Sequence, residues 1–81
     1  MGYFHVYTKG LEDRLIFRSV EDFIVGMNYV AVSHFKVKVK LLAFVLMSNH
    51  FHFVIYGNRV SVIQFINVYK KLVSTYIYHR Y

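Results

Sequence analysis

The sequence has no cysteine and no proline in its 81 residues. Without cysteine there is no disulfide scaffold, no thiolate zinc site and no thiol nucleophile, and nothing points to an extracellular address. Without proline, collagen-like and Pro-rich linker readings fail. Carboxylates are scarce: there are four, all within residues 12–22, and none follows from Phe23 to Tyr81. Paired-carboxylate acid–base chemistry therefore has almost nowhere to sit. A long hydrophobic run is also missing. Residues 41–58 carry no charge, but Ser48, Asn49, His50 and His52 interrupt them near the middle and would be costly in hydrocarbon. We read that stretch as a buried β-hairpin and expect no membrane partner. The first residues lack a basic segment followed by an apolar core, so no signal peptide is expected and the expected location is cytoplasmic.

What is present is apolar and basic. Hydrophobic residues make up 57% and aromatics 20%, with eight Tyr and eight Phe, which excludes a disordered chain. The length bounds the chain to one domain, 1–81, with a core near the lower limit of self-sufficiency. Ten Lys and Arg give a formal charge of +6, which favours a polyanionic partner, nucleic acid or an anionic membrane surface. So apolar a composition on so short a chain also points to an interface, or to a fold whose remaining part is missing.

Alternation over residues 3–9 predicts a strand with Tyr3, His5, Tyr7 and Lys9 on one face and Phe4, Val6 and Thr8 on the other. Ser19 followed by Asp22 predicts a helix start, and Phe23, Met27, Val30 and His34 mark its apolar face, ending near His34. Lys36, Lys38 and Lys40 alternate with Val37, Val39 and Leu41 as a strand entering from an exposed edge, continuing as a buried strand to Met47. Ser48-Asn49 is the turn, and residues 50–56 are the next strand. Ser61 with Gln64 predicts the start of a second helix over residues 62–78, with Phe65, Tyr69, Leu72 and Tyr76 as its inner stripe, widened by Ile66, Val73 and Ile77. The expected class is α+β: a ferredoxin-like split β-α-β with the order β-α-β-β-α, an antiparallel sheet with both helices on one face, and the final strand missing.

Residues two apart in a strand point the same way, so His50 and His52 project together. Phe51 and Phe53, the larger apolar pair, then face the helices and leave the histidines on the open face. Two neutral imidazoles at that spacing can chelate one divalent cation, with His5 as a third ligand or a supporting group behind the ligands. The same histidines also suit the solvated side of an ordinary antiparallel sheet. His34 and His79 are isolated and read as surface. The candidate nucleic-acid contacts are Lys9, Arg14, Arg18, Lys70 and Lys71 for phosphates, and Tyr3 and Tyr56 as stacking surfaces for unpaired bases. Tyr29, Tyr69 and Tyr76 read as core, Tyr78 and Tyr81 as exposed, and no tyrosine is marked as a nucleophile by its spacing.

The run Leu42-Ala43-Phe44-Val45-Leu46-Met47-Ser48-Asn49-His50-Phe51-His52-Phe53-Val54-Ile55 resembles the signature hairpin of the single-tyrosine HUH transposases, closest to the REP-associated and insertion-sequence types. The family pattern is Met-Pro-Asn-His-apolar-His, and Ser48 stands where the family has Pro. His5-Val6-Tyr7-Thr8-Lys9-Gly10 resembles the family's first strand, and Arg14-Leu15-Ile16-Phe17 with Asp22-Phe23 resembles its early layout. The resemblance implies Mg²⁺ or Mn²⁺ held by His50 and His52, single-stranded or hairpin DNA as substrate, a 5′-phosphotyrosine intermediate in DNA transposition, and a homodimer. It also implies that the nucleophilic tyrosine lies beyond a further strand, so the chain is expected to be incomplete at its C-terminus and the catalytic tyrosine is not identifiable in it. Two other readings stay open. One is a small RNA- or DNA-binding module without catalysis; the other is an interaction fragment whose unpaired sheet edge docks another chain.

Overall fold

The computed structural model describes residues 1–9 and 16–81, with the side chain of Lys9 outside the description. The elements are β1 (Gly2–Lys9), α1 (Val20–Lys36), β2 (Lys40–Met47), β3 (His50–Gly57) and α2 (Arg59–Arg80). They form an α+β fold: one three-stranded antiparallel sheet, with two helices packed on one of its faces. The strand order is β1-β3-β2, so β1 and β2 run in the same direction on either side of β3. Among the described residues, no helix is long and apolar enough to cross a membrane.

The central strand is β3, whose alternation sorts the two faces. Phe51, Phe53, Ile55 and Gly57 are buried, while His50, His52, Val54 and Tyr56 are half-buried on the other side. Phe51, Phe53 and Ile55 pack with Val62, Phe65, Ile66, Tyr69 and Val73 of α2, and with Val30 of α1 and Phe17. Aromatic edges meet there: the Tyr69 ring lies 5.0 Å from Phe51 and 5.1 Å from Phe53, both nearly perpendicular. The inner stripe of α2 keeps the predicted Phe65, Ile66, Tyr69 and Val73, while Leu72 and Tyr76 are half-buried outside the core, and its polar stripe (Gln64, Asn67, Lys71, Ser74, Tyr78) is exposed as expected.

Three sequence expectations are corrected. First, α1 buries only part of the Phe23–Met27–Val30–His34 face: Val30 is in the core and Phe23 half-buried against it, while Met27 and His34 are exposed. Met27 and Ile24 are 54% and 52% exposed, and the buried residues are Asp22, Gly26, Val30 and Ser33. Gly26 is the reason. A Cβ there would sit 2.5 Å from the Phe17 ring and 3.3 Å from Leu46, so only glycine lets that ring come so close to the helix. Tyr69 also donates its hydroxyl to the Gly26 carbonyl at 3.1 Å. Second, α1 continues through Lys36, and β2 starts only at Lys40, so the lysine alternation is not a strand. Val37 caps the helix by donating its backbone N–H to the Ser33 carbonyl. Third, β2 is not buried. It is an edge strand with one neighbour, and Leu42, Phe44, Val45 and Met47 are 36–53% exposed. An uninterrupted apolar run reads as a doubly covered strand, but sheet position decides how much of it is covered.

Both helix starts are capped by side chains. Ser19 accepts from the Asp22 N–H at 3.2 Å, as the sequence predicts. At α2 the cap is Asn58, which accepts from the Ser61 N–H at 2.8 Å, so the helix begins three residues before the predicted Val62. Ile16 and Phe17 donate their N–H groups to the Ser48 carbonyl, which ties the entry to α1 onto the β2–β3 turn.

Candidate metal and nucleic-acid face

The sheet face away from the helices is organised by strand register. Cross-strand partners share a face, so the pairing sets four rows. They are Tyr3–Tyr56–Lys40, His5–Val54–Ala43, Tyr7–His52–Val45, and Lys9–His50–Met47. His50 and His52 therefore project from the same face, as the spacing predicts, and the register brings His5 and Tyr7 of β1 beside them. The His50 and His52 rings are 5.1 Å apart and nearly perpendicular. The Tyr7 ring lies 4.7 Å from His52 and 5.4 Å from His50. At the far end, the Tyr3 and Tyr56 rings are 4.8 Å apart, and Tyr3 is 75% exposed.

Hydrogen bonds set which ring nitrogens are free. The Asn49 amide oxygen can only accept, and it lies 2.7 Å from His50 Nδ1. His50 therefore carries its proton on Nδ1 and keeps the Nε2 lone pair open to a ligand. His52 Nδ1 and His5 Nε2 are 3.1 Å apart and share one proton. Partial burial, and then the neighbouring His50 and His5 imidazoles, hold His52 below the usual histidine value. That direction favours the neutral ring, the form that binds a metal. With His52 Nδ1 as donor, its Nε2 is free as well.

This donor set favours some cations over others. Among the described residues the face carries imidazoles and one amide oxygen but no carboxylate, and no group of three or more His, Cys, Asp or Glu is gathered to hold a metal ion. His5 Nε2 lies within hydrogen-bond distance of His52 Nδ1, so His5 can orient that ring. Mg²⁺ prefers an all-oxygen octahedron, whereas imidazole suits the first-row transition ions. A pair of imidazoles therefore fits Mn²⁺ better than Mg²⁺, with the rest of the coordination sphere supplied from outside the chain.

The remaining candidate residues are spread over the molecule. Tyr3 and Tyr56 are on the open face. Arg18 precedes α1 and holds its guanidinium 4.5 Å over the Tyr81 ring. Lys70 and Lys71 are exposed on the flank and outer side of α2, in the layer on the opposite side of the sheet. Arg14 and the Lys9 side chain lie outside the described residues. His34 is exposed, with Nε2 donating to the Val39 carbonyl at 2.9 Å, and His79 is exposed on α2.

One cluster escaped the sequence reading. Asp22 of α1 is fully buried. It accepts from the Tyr76 hydroxyl at 2.6 Å, the Tyr81 hydroxyl at 2.5 Å and the Arg18 N–H at 2.9 Å, and pairs with Arg80 Nε at 3.0 Å. Tyr81 therefore does have a carboxylate beside it. The available signal was Glu21-Asp22, one of two acidic pairs in a basic chain, which has to meet cations somewhere. Compared with known proteins, the chain matches no family model, no curated protein and no solved structure.

Proposed function

We propose that this chain binds single-stranded nucleic acid on its open sheet face, with His50 and His52 presenting a divalent cation to a backbone phosphate. The observation that carries the reading is the pair of neighbouring imidazoles on one face, one oriented by Asn49 and the other by His5, flanked by the Tyr7, Tyr3 and Tyr56 rings. A bound Mn²⁺ or Mg²⁺ supplies Lewis acidity toward a phosphate oxygen. The chain's own residues do the rest. Asn49 and His5 fix the imidazole orientations, Tyr7 packs against both rings, and Tyr3 with Tyr56 offers π-faces to unstacked bases. The charge of +6 favours phosphate contact in general.

In its fuller form the reading is the one the sequence resemblance implies. On this reading the fold is ferredoxin-like in the order β-α-β-β-α, and the chain belongs to the DNA-binding part of a single-tyrosine HUH transposase acting in DNA transposition. Cleavage would require a nucleophilic tyrosine, which the spacing of this sequence does not mark. Pairing of two copies along the exposed apolar β2 edge would give the homodimer that the resemblance implies.

The test is fluorescence anisotropy on a labelled hairpin oligodeoxynucleotide with a single-stranded flank. Binding should strengthen with Mn²⁺, less with Mg²⁺, and the His50→Ala/His52→Ala variant should lose the cation effect. Equal affinity for both proteins at every metal concentration would remove the cation site. A second reading is favoured by the bond between His5 and His52, which gives those rings a structural role without a metal. In that case the chain is a non-catalytic RNA- or DNA-binding module, indifferent to chelator and weakened by Tyr3→Ala or Tyr56→Ala.

A further inference from the structure

The sheet end opposite His50 carries a second feature. There Tyr3, Tyr56 and Lys40 form one transverse row on the open face. Beside that row a groove of about 820 Å³ opens between the end of α1, the connection into β2 and the start of α2, and its lining includes His34, Lys38, Lys40, Tyr56, Asn58 and Ser61. The His34 bond to the Val39 carbonyl pins the connection to α1 and fixes one wall. Tyr56 belongs both to the open face and to the groove, so the two are continuous.

Charge is one-sided here. Lys38 and Lys40 are exposed, and neither is in an ion pair among the described residues. The two described carboxylates, Glu21 and Asp22, lie in the first turn of α1, away from the groove at its other end, and both contact Arg80. The first turn of α2, which borders the groove, contains no acidic residue.

We propose that this groove takes the sugar-phosphate backbone of a single-stranded nucleic acid where the strand leaves the sheet face, with Lys38 and Lys40 on consecutive phosphates and Tyr56 stacking at the mouth. The inference rests on the nucleic-acid reading above and adds a second contact site to it. The six residue steps from the His50 row to the Tyr56 row span about 20 Å at roughly 3.4 Å each. A strand that follows β3 from the histidine pair therefore runs directly into Lys40 and the groove. The Tyr3–Tyr56 pair at the mouth favours a base-bearing polyanion over an acidic peptide.

The test measures the salt dependence of binding to a fluorescein-labelled oligothymidylate and to its oligouridylate counterpart. It compares wild type, Lys38→Ala/Lys40→Ala, and Lys70→Ala/Lys71→Ala on the helical side. All four lysines are exposed, so both variants should fold, and far-UV circular dichroism checks this. For both oligonucleotides the Lys38/Lys40 variant should bind about tenfold more weakly at low salt. Its slope of log K against log salt should be shallower by about 1.4, the value for two single-strand phosphates, with the Lys70/Lys71 variant, on the other side of the sheet, changed less. Equal slopes for wild type and the Lys38/Lys40 variant, with Tyr56→Ala still weakening binding, would overturn the groove alone. Equal losses from both lysine pairs, or competition by polyglutamate as effective as that by unlabelled oligonucleotide, would also overturn it. Failure of the wild type to bind either oligonucleotide would remove the nucleic-acid reading and the groove together.

Discussion

Asp22 shows how a buried charge is tolerated in so small a domain. Burial alone would raise its carboxyl. The hydroxyls of Tyr76 and Tyr81, the Arg18 N–H and the nearby Arg80 guanidinium outweigh that and bring it down to about 2 from 3.8. The same contact pushes the Tyr76 phenol up to about 12. Because the folded value lies below the unfolded one, the carboxylate's stabilisation is fully present above about pH 4 and is lost as pH falls through about 2. Urea denaturation followed between pH 5 and pH 2 should show this loss for wild type and a flatter profile for Asp22→Asn. The variant should be less stable at neutral pH by about 2–4 kcal/mol, since it leaves Arg80 without its buried partner. A variant as stable as wild type at pH 7 would mean the cluster is ornamental. The sequence shows Asp22 as a helix-start residue near the positive end of the dipole. It does not show the inward turn, because the partners Tyr76, Arg80 and Tyr81 are more than fifty positions away and only the antiparallel packing of α1 on α2 brings them there.

At the level of elements, the two helices differ in how readable they are. The inner stripe of α2 consists of large apolar residues at helical spacing, and periodicity finds it. In α1 the inner stripe is Asp22, Gly26, Val30 and Ser33, of which hydropathy selects only Val30 as inside. Gly26→Ala should destabilise the fold by about 1–3 kcal/mol, because the Phe17 ring has to move off the helix. Met27→Ala, next in sequence but exposed, should change the urea midpoint little. The reverse order would return α1 to the face that hydropathy selects. Capping gives a parallel comparison at α2. Asn58→Ala should cost about 1 kcal/mol and Ser61→Ala much less, since the Asn58 side chain accepts the first free N–H. Thermal denaturation of the two variants distinguishes them. The Ser61–Gln64 spacing selects Ser61 as the cap, whereas the structure uses Asn58, three residues earlier. The strand faces were legible for a simpler reason. On β3 the bulky Phe51 and Phe53 take the covered side, and the period of two then exposes His50 and His52.

At the scale of the whole molecule, polarity is divided between the two sides of the sheet. The helical side holds the core and the Asp22 cluster. The open side holds His5, His50, His52, Tyr3, Tyr7 and Tyr56 and, at one end, Lys40 with Lys38 on the connection beside it, while Lys70 and Lys71 face away from it. The sequence revealed the basic charge but not this division, since linear grouping of lysines does not say which layer they decorate. The β2 edge adds an exposed apolar margin. The account stands or falls on the cation at the open face. Its most direct test is an Mn²⁺ titration followed by NMR on isotope-labelled protein, with and without a single-stranded oligonucleotide. The account predicts that paramagnetic broadening strikes the His50 and His52 ring signals first, reaches Tyr7 next, and sets in at lower Mn²⁺ when the oligonucleotide is present. Sharp His50 and His52 signals while His34 or His79 broadens would contradict it.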